Sequence, residues 1–279
     1  MRSILSAVEG KTGRSLLPLC LIVSFLLPLH AQEAPHDADL DQYKWLTTLS
    51  WWYSQPSGSF DGRNHEGEFD LKRDFDFGSY STFTGTFDWR FKRKHHLLFS
   101  SSPVSYSNNA TLLRTITFQN ETYNVGTRVT SDIQSLSFAP GYRWDFIRRN
   151  RGYVAFETLL TMLDTKATLT GTVVVNGQSA TGSASGSFFA PLPVIGLHAR
   201  GYPLDSARLS LDGAFDGMYF FGHGDFYSAR GVVGVGLSHH WKAVAGYQLG
   251  TRLSIHGGSG NIGIRLTQKG PAVGIEGSW

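Results

Sequence analysis

Cysteine is almost absent from this sequence: Cys20 stands alone, so an internal disulfide framework and thiolate metal sites are both excluded. Charge is also scarce, at 17% of residues. Beyond Leu29 there is neither a long apolar run nor a convincing stretch of helical period, which argues against a spanning helix and against a helical fold. Nor is there a charge excess to suggest nucleic acid. Setting aside Arg2, Lys11, Arg14 and Glu9 in the first 31 residues leaves basic and acidic residues nearly balanced.

What is present begins with an export signal. Arg2, Lys11 and Arg14 precede an apolar stretch, Ser15 to Leu29, interrupted only by Pro18, Ser24 and Pro28. Residues 1–31 read as a signal peptide cleaved after Ala31, because the run is shorter than the about 20 residues a membrane helix needs. Leu19 before Cys20 argues against a lipoprotein. Residues 32–43 carry Glu33, Asp37, Asp39 and Asp41 and form a polar periplasmic lead; the rest, 44–279, reads as one domain.

That domain alternates apolar and polar residues with period two, the mark of strands with two unlike faces. Between 82 and 91, Phe83, Phe87, Trp89 and Phe91 alternate with Thr82, Thr84, Thr86, Asp88 and Arg90. Similar patterns set Leu136, Phe138, Tyr142 and Trp144 against Arg143, Phe156 and Leu160 against Glu157, Ile195 and Leu197 against His198 and Arg200, and Leu211 and Phe215 against Asp212 and Asp216. Short polar connections at 92–94, 147–151, 203–206 and 238–240 alternate with longer or Gly-rich ones, the distribution of turns and loops in an outer-membrane barrel. Segments 111–130 and 166–188 are ambiguous; the first offers a small hairpin turning at Asn120-Glu121, and Asn176-Gly177 in the second is a hairpin signal inside a Ser/Gly/Thr-rich loop.

Aromatic residues gather at strand ends. Trp45, Trp89, Phe91, Trp144, Tyr202, Trp241 and Trp279 fall at the short-turn ends, and Tyr53, Tyr80, Tyr106, Phe189, Tyr219 and Tyr227 at the opposite ends. Two such bands suit a wall crossing the boundary between hydrocarbon and headgroups. The expected fold is therefore all-β: a closed antiparallel up-and-down transmembrane β-barrel of about ten strands, with eight or twelve as the competing counts. A soluble periplasmic β-sandwich is the outside alternative.

The last stretch, Gly270-Pro-Ala-Val-Gly-Ile-Glu-Gly-Ser-Trp279, alternates Val273 and Ile275 with Glu276 and ends on an aromatic ring. It resembles the C-terminal insertion signature of bacterial outer-membrane β-barrel proteins, in which the last residue is more often Phe. The resemblance implies export to the outer membrane of a Gram-negative bacterium, with Val273, Ile275 and Trp279 read by the barrel-assembly machinery. Implied partners are outer-membrane lipids and lipopolysaccharide, with no nucleic acid; the oligomeric state is open.

If the apolar faces look outward, Asp88, Arg90, Arg143, Glu157, His198, Arg200, Asp212, Asp216, Arg230 and Glu276 converge in the lumen. The plain reading is a self-paired polar core; the sharper one is the lining of a narrow pore. Other matches carry little. Gly258 to Gly263 fits G-x-G-x-x-G but precedes no helix, and the adjacent pairs His95-His96 and His239-His240 point to opposite faces of a strand, so neither chelates. Glu66, Glu68, Asp70, Asp74 and Asp76 in the first loop most simply form a solvated face, with a calcium or lipopolysaccharide contact as the alternative.

No catalytic residue, cofactor or metal is expected. Ten strands also bring to mind the outer-membrane proteases called omptins, but their Asp-x-His pair is missing from the expected external loops, as is the His-Ser pair of lipid A deacylases near the C-terminus. His223 with Asp225, or His65 with Asp61, could pair a base with an orienting carboxylate but lacks a defined nucleophile. The expected role is a structural or surface-interaction barrel, or a narrow small-solute pore; the rival is a barrel enzyme acting on lipid A or peptides.

Overall fold

The computed structural model describes residues 39–279 apart from 62–67, 119–120, 176–177, 205, 221–223 and 256–262. Its strands are β1 (Trp45–Asp61), β2 (Glu68–Asp70), β3 (Tyr80–Lys92), β4 (His95–Thr111), β5 (Ile116–Phe118), β6 (Glu121–Tyr123), β7 (Arg128–Arg149), β8 (Gly152–Val175), β9 (Gln178–Gly201), β10 (Leu209–Phe220), β11 (Gly224–Gly236), β12 (Trp241–Ile255) and β13 (Gly263–Ser278). Ten of them pair antiparallel with their sequence neighbours, and β13 returns to β1, closing the ring; β2, β5 and β6 are short additions. Closure leaves no edge strand within the ring, which is the condition for a sheet to cross hydrocarbon. It also rules out the sandwich and the alternative strand counts.

The period-two pattern sets the two faces. Phe83 and Phe215 are each 58% exposed and Ile195 is 56% exposed on the outer wall, whereas their neighbours Thr82, Ala214 and Val194 are buried inside. Nothing but an apolar medium suits such an outer face. The connections at 93–94, 150–151, 202–208 and 237–240 lie at one end together with both described termini, and short turns mark the periplasmic end of such barrels. One of these turns needs glycine: Gly152 has φ +141°, and a Cβ there would stand 2.1 Å from the Arg200 carbonyl oxygen.

The wall is uneven in height. β8 and β9 run 24 residues each and β7 runs 22, against 12 and 13 for β10 and β11. At about 3.3 Å per residue, β8 is roughly 80 Å long, far more than the 9–11 residues that cross a bilayer. The ambiguous segment 166–188 is the projecting part of this hairpin, strand rather than Ser/Gly/Thr-rich loop, with Val175 paired to Gln178; Asn176 and Gly177 lie outside the described residues. Alternating Thr, Ser and Gly pair as strands there because the neighbouring strands supply the hydrogen-bond ladder. β5 and β6 pair as a hairpin whose last described pair is Phe118 with Glu121; of the expected turn Asn120-Glu121, Asn120 lies outside the described residues. Leu112, Ile116, Tyr123, Val129 and Leu169 form a small core in the projection with Phe75 against it.

Candidate functional site: the two-layered lumen

The floor of the lumen is ionic. The chain before β1 does not hang below the barrel: residues 39–43 turn into its periplasmic mouth. Leu40 donates its amide to the Asn150 carbonyl at 2.8 Å. Arg90 reaches the Asp41 carbonyl and carboxylate at 2.6 Å each, Arg148 binds Asp39 at 3.0 Å and Asp41 at 3.3 Å, and the Tyr202 hydroxyl donates to Asp41 at 2.7 Å. Tyr43 lies under the Arg90 guanidinium, 3.8 Å from ring centre to charge, and donates its hydroxyl to Asp88 at 2.7 Å.

Above this plug the carboxylates and cations interleave. Arg143 pairs with Asp88, and stands 3.6 Å from Glu157. His198 lies 2.8 Å from Glu157 through one ring nitrogen and 2.8 Å from Asp212 through the other. Arg200 binds Asp212 at 3.0 Å and Glu276 at 2.6 Å, and Lys242 approaches Glu276 at 3.6 Å. These groups sit at facing register positions: Arg143 opposite Glu157, Arg200 opposite Asp212, Lys242 opposite Glu276. Cross-strand pairing therefore builds the layer directly from alternation. Each buried charge gains an opposite charge and hydrogen bonds, which is what makes its burial tolerable.

Besides Lys242 and the plug, His96, Asp145 and Arg148 escaped the sequence reading. His96 is fully buried between Asp88 at 2.7 Å and Asp145 at 3.2 Å, and Arg148 bonds Asp145 at 2.7 Å. The inward face of β7 runs 141, 143, 145, so continuing the alternation by one step would have found Asp145. A bulge after Trp144 then turns Arg148 inward. His95 meanwhile faces out and meets the Tyr142 hydroxyl at 2.5 Å, so the two histidines do part. No hydroxyl is hydrogen-bonded to the rings of His96 or His198 among the described residues; their partners are carboxylates and Arg143.

Over the floor lies a chamber of about 420 Å³. One wall is hydroxyl-rich, with Ser50, Thr84, Thr86, Ser100, Ser135 and Ser137; the other is apolar, with Leu159, Leu163, Leu192, Phe226 and Leu253. Trp52, out of pattern in β1, faces this space. Leu71 and Phe77, from the loop at 71–79, line the chamber from the extracellular side. The loop is anchored: Asn108 donates to the carbonyls of Phe75 and Asp76, Gly78 donates to the Tyr106 hydroxyl at 2.8 Å, and Arg114 binds Asp74 at 2.6 Å. Burial raises the Asp74 carboxyl, but hydrogen bonds from Arg73, Arg114 and the Asp70 amide outweigh it and hold the group below its ordinary value.

The structure corrects three placements in the aromatic bands. Tyr202, expected at the lipid boundary, is buried in the lumen against Asp41 with Lys242 over its ring at 4.8 Å. Tyr80 and Tyr106 are also internal, near the roof, where Tyr106 stacks on Phe77 at 4.0 Å. Each was placed by its position along a strand, whereas its side chain follows the strand's inner register. Trp45, Trp89, Trp144, Trp241 and Trp279 lie on the outer face at the short-turn end; Trp45 stacks on Trp89 at 5.4 Å and Trp241 meets Trp279 edge-on at 5.2 Å. Val273 and Ile275 face outward and Glu276 inward.

The remaining candidates do not assemble. Asp70 accepts the amides of Lys72 and Arg73 and Asp74 is ion-paired; Asp76 sits at the one positive φ (48°) of a described non-glycine residue; the side chain of Glu68 and all of Glu66 lie outside the described residues. Among the described residues no cluster of three or more His, Cys, Asp or Glu could hold a metal ion. His65, His223, the Asp61 side chain and residues 258–262 lie outside that set, and Asp225 stands 3.4 Å from Arg252.

The closed ring, lipid-facing outer wall and uneven ends define an outer-membrane β-barrel. The outer-membrane protease OmpT of Escherichia coli is similar in fold, with a TM-score of 0.56 at 10% identity over 84% of this chain and 96% of that one. Ail, the attachment invasion locus protein of Yersinia pestis, gives 0.34 at 12% identity (83% and 99% of the two chains), and the toluene transporter TodX of P. putida gives 0.37 at 6% (88% and 92%). No family model and no curated protein matches the sequence. The likeness to OmpT shows the fold, and no activity.

Proposed function

We propose that this chain is exported by its first 31 residues and acts in the outer membrane as a closed barrel, a structural and surface-interaction wall that does not conduct solutes at rest. The supporting observation is the plug: residues 39–43 fill the periplasmic mouth, held by Arg90, Arg148 and Tyr202. Ten strands enclose little more than side-chain width, and at the depth of the floor the ionic layer occupies what remains. Outer-membrane lipids and lipopolysaccharide contact the wall, and the assembly machinery reads Val273, Ile275 and Trp279 during insertion.

Liposome swelling with small sugars tests this reading. Proteoliposomes should be as impermeable as protein-free vesicles; porin-like swelling would overturn it. The barrel is taken to be non-enzymatic. A lipid A or peptide substrate turned over by the wild type and not by His223→Ala would reverse that.

A further inference from the structure

We propose that the chamber above the ionic floor is a binding site for a small amphiphile with an oxyanion head, its hydrocarbon lying on the leucine wall and its head on Arg230. The inference rests on the barrel fold and not on whether the barrel conducts.

Arg230 stands on β11 between Phe226 and Val232 along the inner face, at the boundary between the floor and the apolar wall. The other arginines facing the floor have partners: Arg90 has Asp41, Arg143 has Asp88, Arg148 has Asp145, and Arg200 has Asp212 and Glu276. No hydrogen bond or close ion pair joins Arg230 to another described residue; it is half-buried, lines the chamber and acts through space on Glu157, Asp212 and Asp216. A guanidinium offers five donors in a planar fork that matches a carboxylate or sulfate.

The carboxylates around it are otherwise engaged or turned away. Glu157 and Asp212 are held by His198 and by arginines of the floor. Asp216 is the competitor. It also lines the chamber, but one of its oxygens is buried without a partner over Gly196, where a Cβ would come within 2.1 Å of it. Asp216 thus repels an arriving anion while leaving the Arg230 donors open.

The volume decides the size class. About 420 Å³ lies within the range of small-molecule sites, which runs from about 300 to 1,000 Å³. Leu159, Leu163, Leu192 and Leu253 offer the apolar contact such a body needs, and they line a space that side chains leave unfilled. The way in is from the extracellular end, because the opposite end is ion-paired and plugged, while Leu71 and Phe77 belong to a single loop.

The test measures labelled octanoate bound to the full mature chain in lipid nanodiscs, with empty nanodiscs subtracted and octylamine as the cationic counterpart. Octanoate should bind saturably at one site per barrel and octylamine should not. Arg230→Gln should weaken octanoate at least tenfold, Leu159→Trp should abolish it by filling the chamber, and Asp216→Asn should tighten it by removing the competing negative charge. Heat-modifiable migration verifies that each variant is folded, and the opposite sign for Asp216→Asn cannot arise from misfolding. Octyl sulfate distinguishes a general oxyanion site, where it binds as octanoate does, from one fitted to carboxylates, where it does not. Octanoate binding no greater than to empty nanodiscs, or equal binding by wild type, Arg230→Gln and Leu159→Trp, would overturn the proposal, and would leave the closed-barrel reading standing wherever liposomes remain impermeable.

Discussion

The lower and upper halves of the lumen are built from the same strands and the same alternation, yet they differ in kind. On β8, the inward residues run Tyr153, Ala155, Glu157 and then Leu159, Thr161 and Leu163; on β9 they run Arg200, His198 and then Val194 and Leu192. The change from charge to hydrocarbon falls at one level on both strands, since Glu157 pairs with Gly196 and Leu159 with Val194. Alternation decides which side a residue faces. It does not decide what medium waits there, and an inward face can be ionic at one depth and apolar one turn of the pleat higher.

The largest expected difference between the halves is in stability. Arg143→Ala removes the guanidinium shared by Asp88 and Glu157 and leaves each buried with only its histidine, a loss of about 3–5 kcal/mol for a broken buried pair. It should lower the urea midpoint of the folded, heat-modifiable form by the most of any single lumen change. Leu159→Ala in the upper half removes a side chain that already borders empty space. The loss should be below the about 2–5 kcal/mol of a packed core leucine, and the same titration ranks the two. Equal losses would mean that the halves do not differ as described.

A smaller effect belongs to the roof. Because the folded-state pKa of Asp74 lies below its unfolded value, its contribution is present above about pH 4 and is lost as pH falls through that value toward the lower folded one. Hydrogen exchange of the amides from Asp70 to Phe77 should therefore gain protection between pH 3 and pH 6 beyond the intrinsic rate change, and Asp74→Asn should remove that gain.

Much of this was legible in the sequence. The alternation in 82–91, 136–144 and 209–219 gave the faces, and the spacing of polar turns gave ten strands. Tyr202, Tyr80 and Tyr106 show where the reading stopped: an aromatic residue near a strand end is assigned by depth, but only its parity in the register says whether it meets lipid or lumen. Asp41 and Tyr43 were read as part of a solvated lead because no strand pattern covers them; their partners, Arg90, Arg148 and Asp88, are 45 or more residues away in the chain. The apolar chamber was missed for a different reason. Leu159 and Leu163 interleave with the outward Leu160 and Met162, so in the run from 159 to 163 only Thr161 is polar and the apolar residues mark no single face.

The most direct test of the ionic floor and its plug is single-channel recording in planar bilayers of the wild type and of a double variant, Arg90→Ala with Arg148→Ala, which frees residues 39–43 from the periplasmic mouth. The wild type should stay silent while the variant, still heat-modifiable, shows frequent openings. Steady conductance of equal size in both would contradict the account.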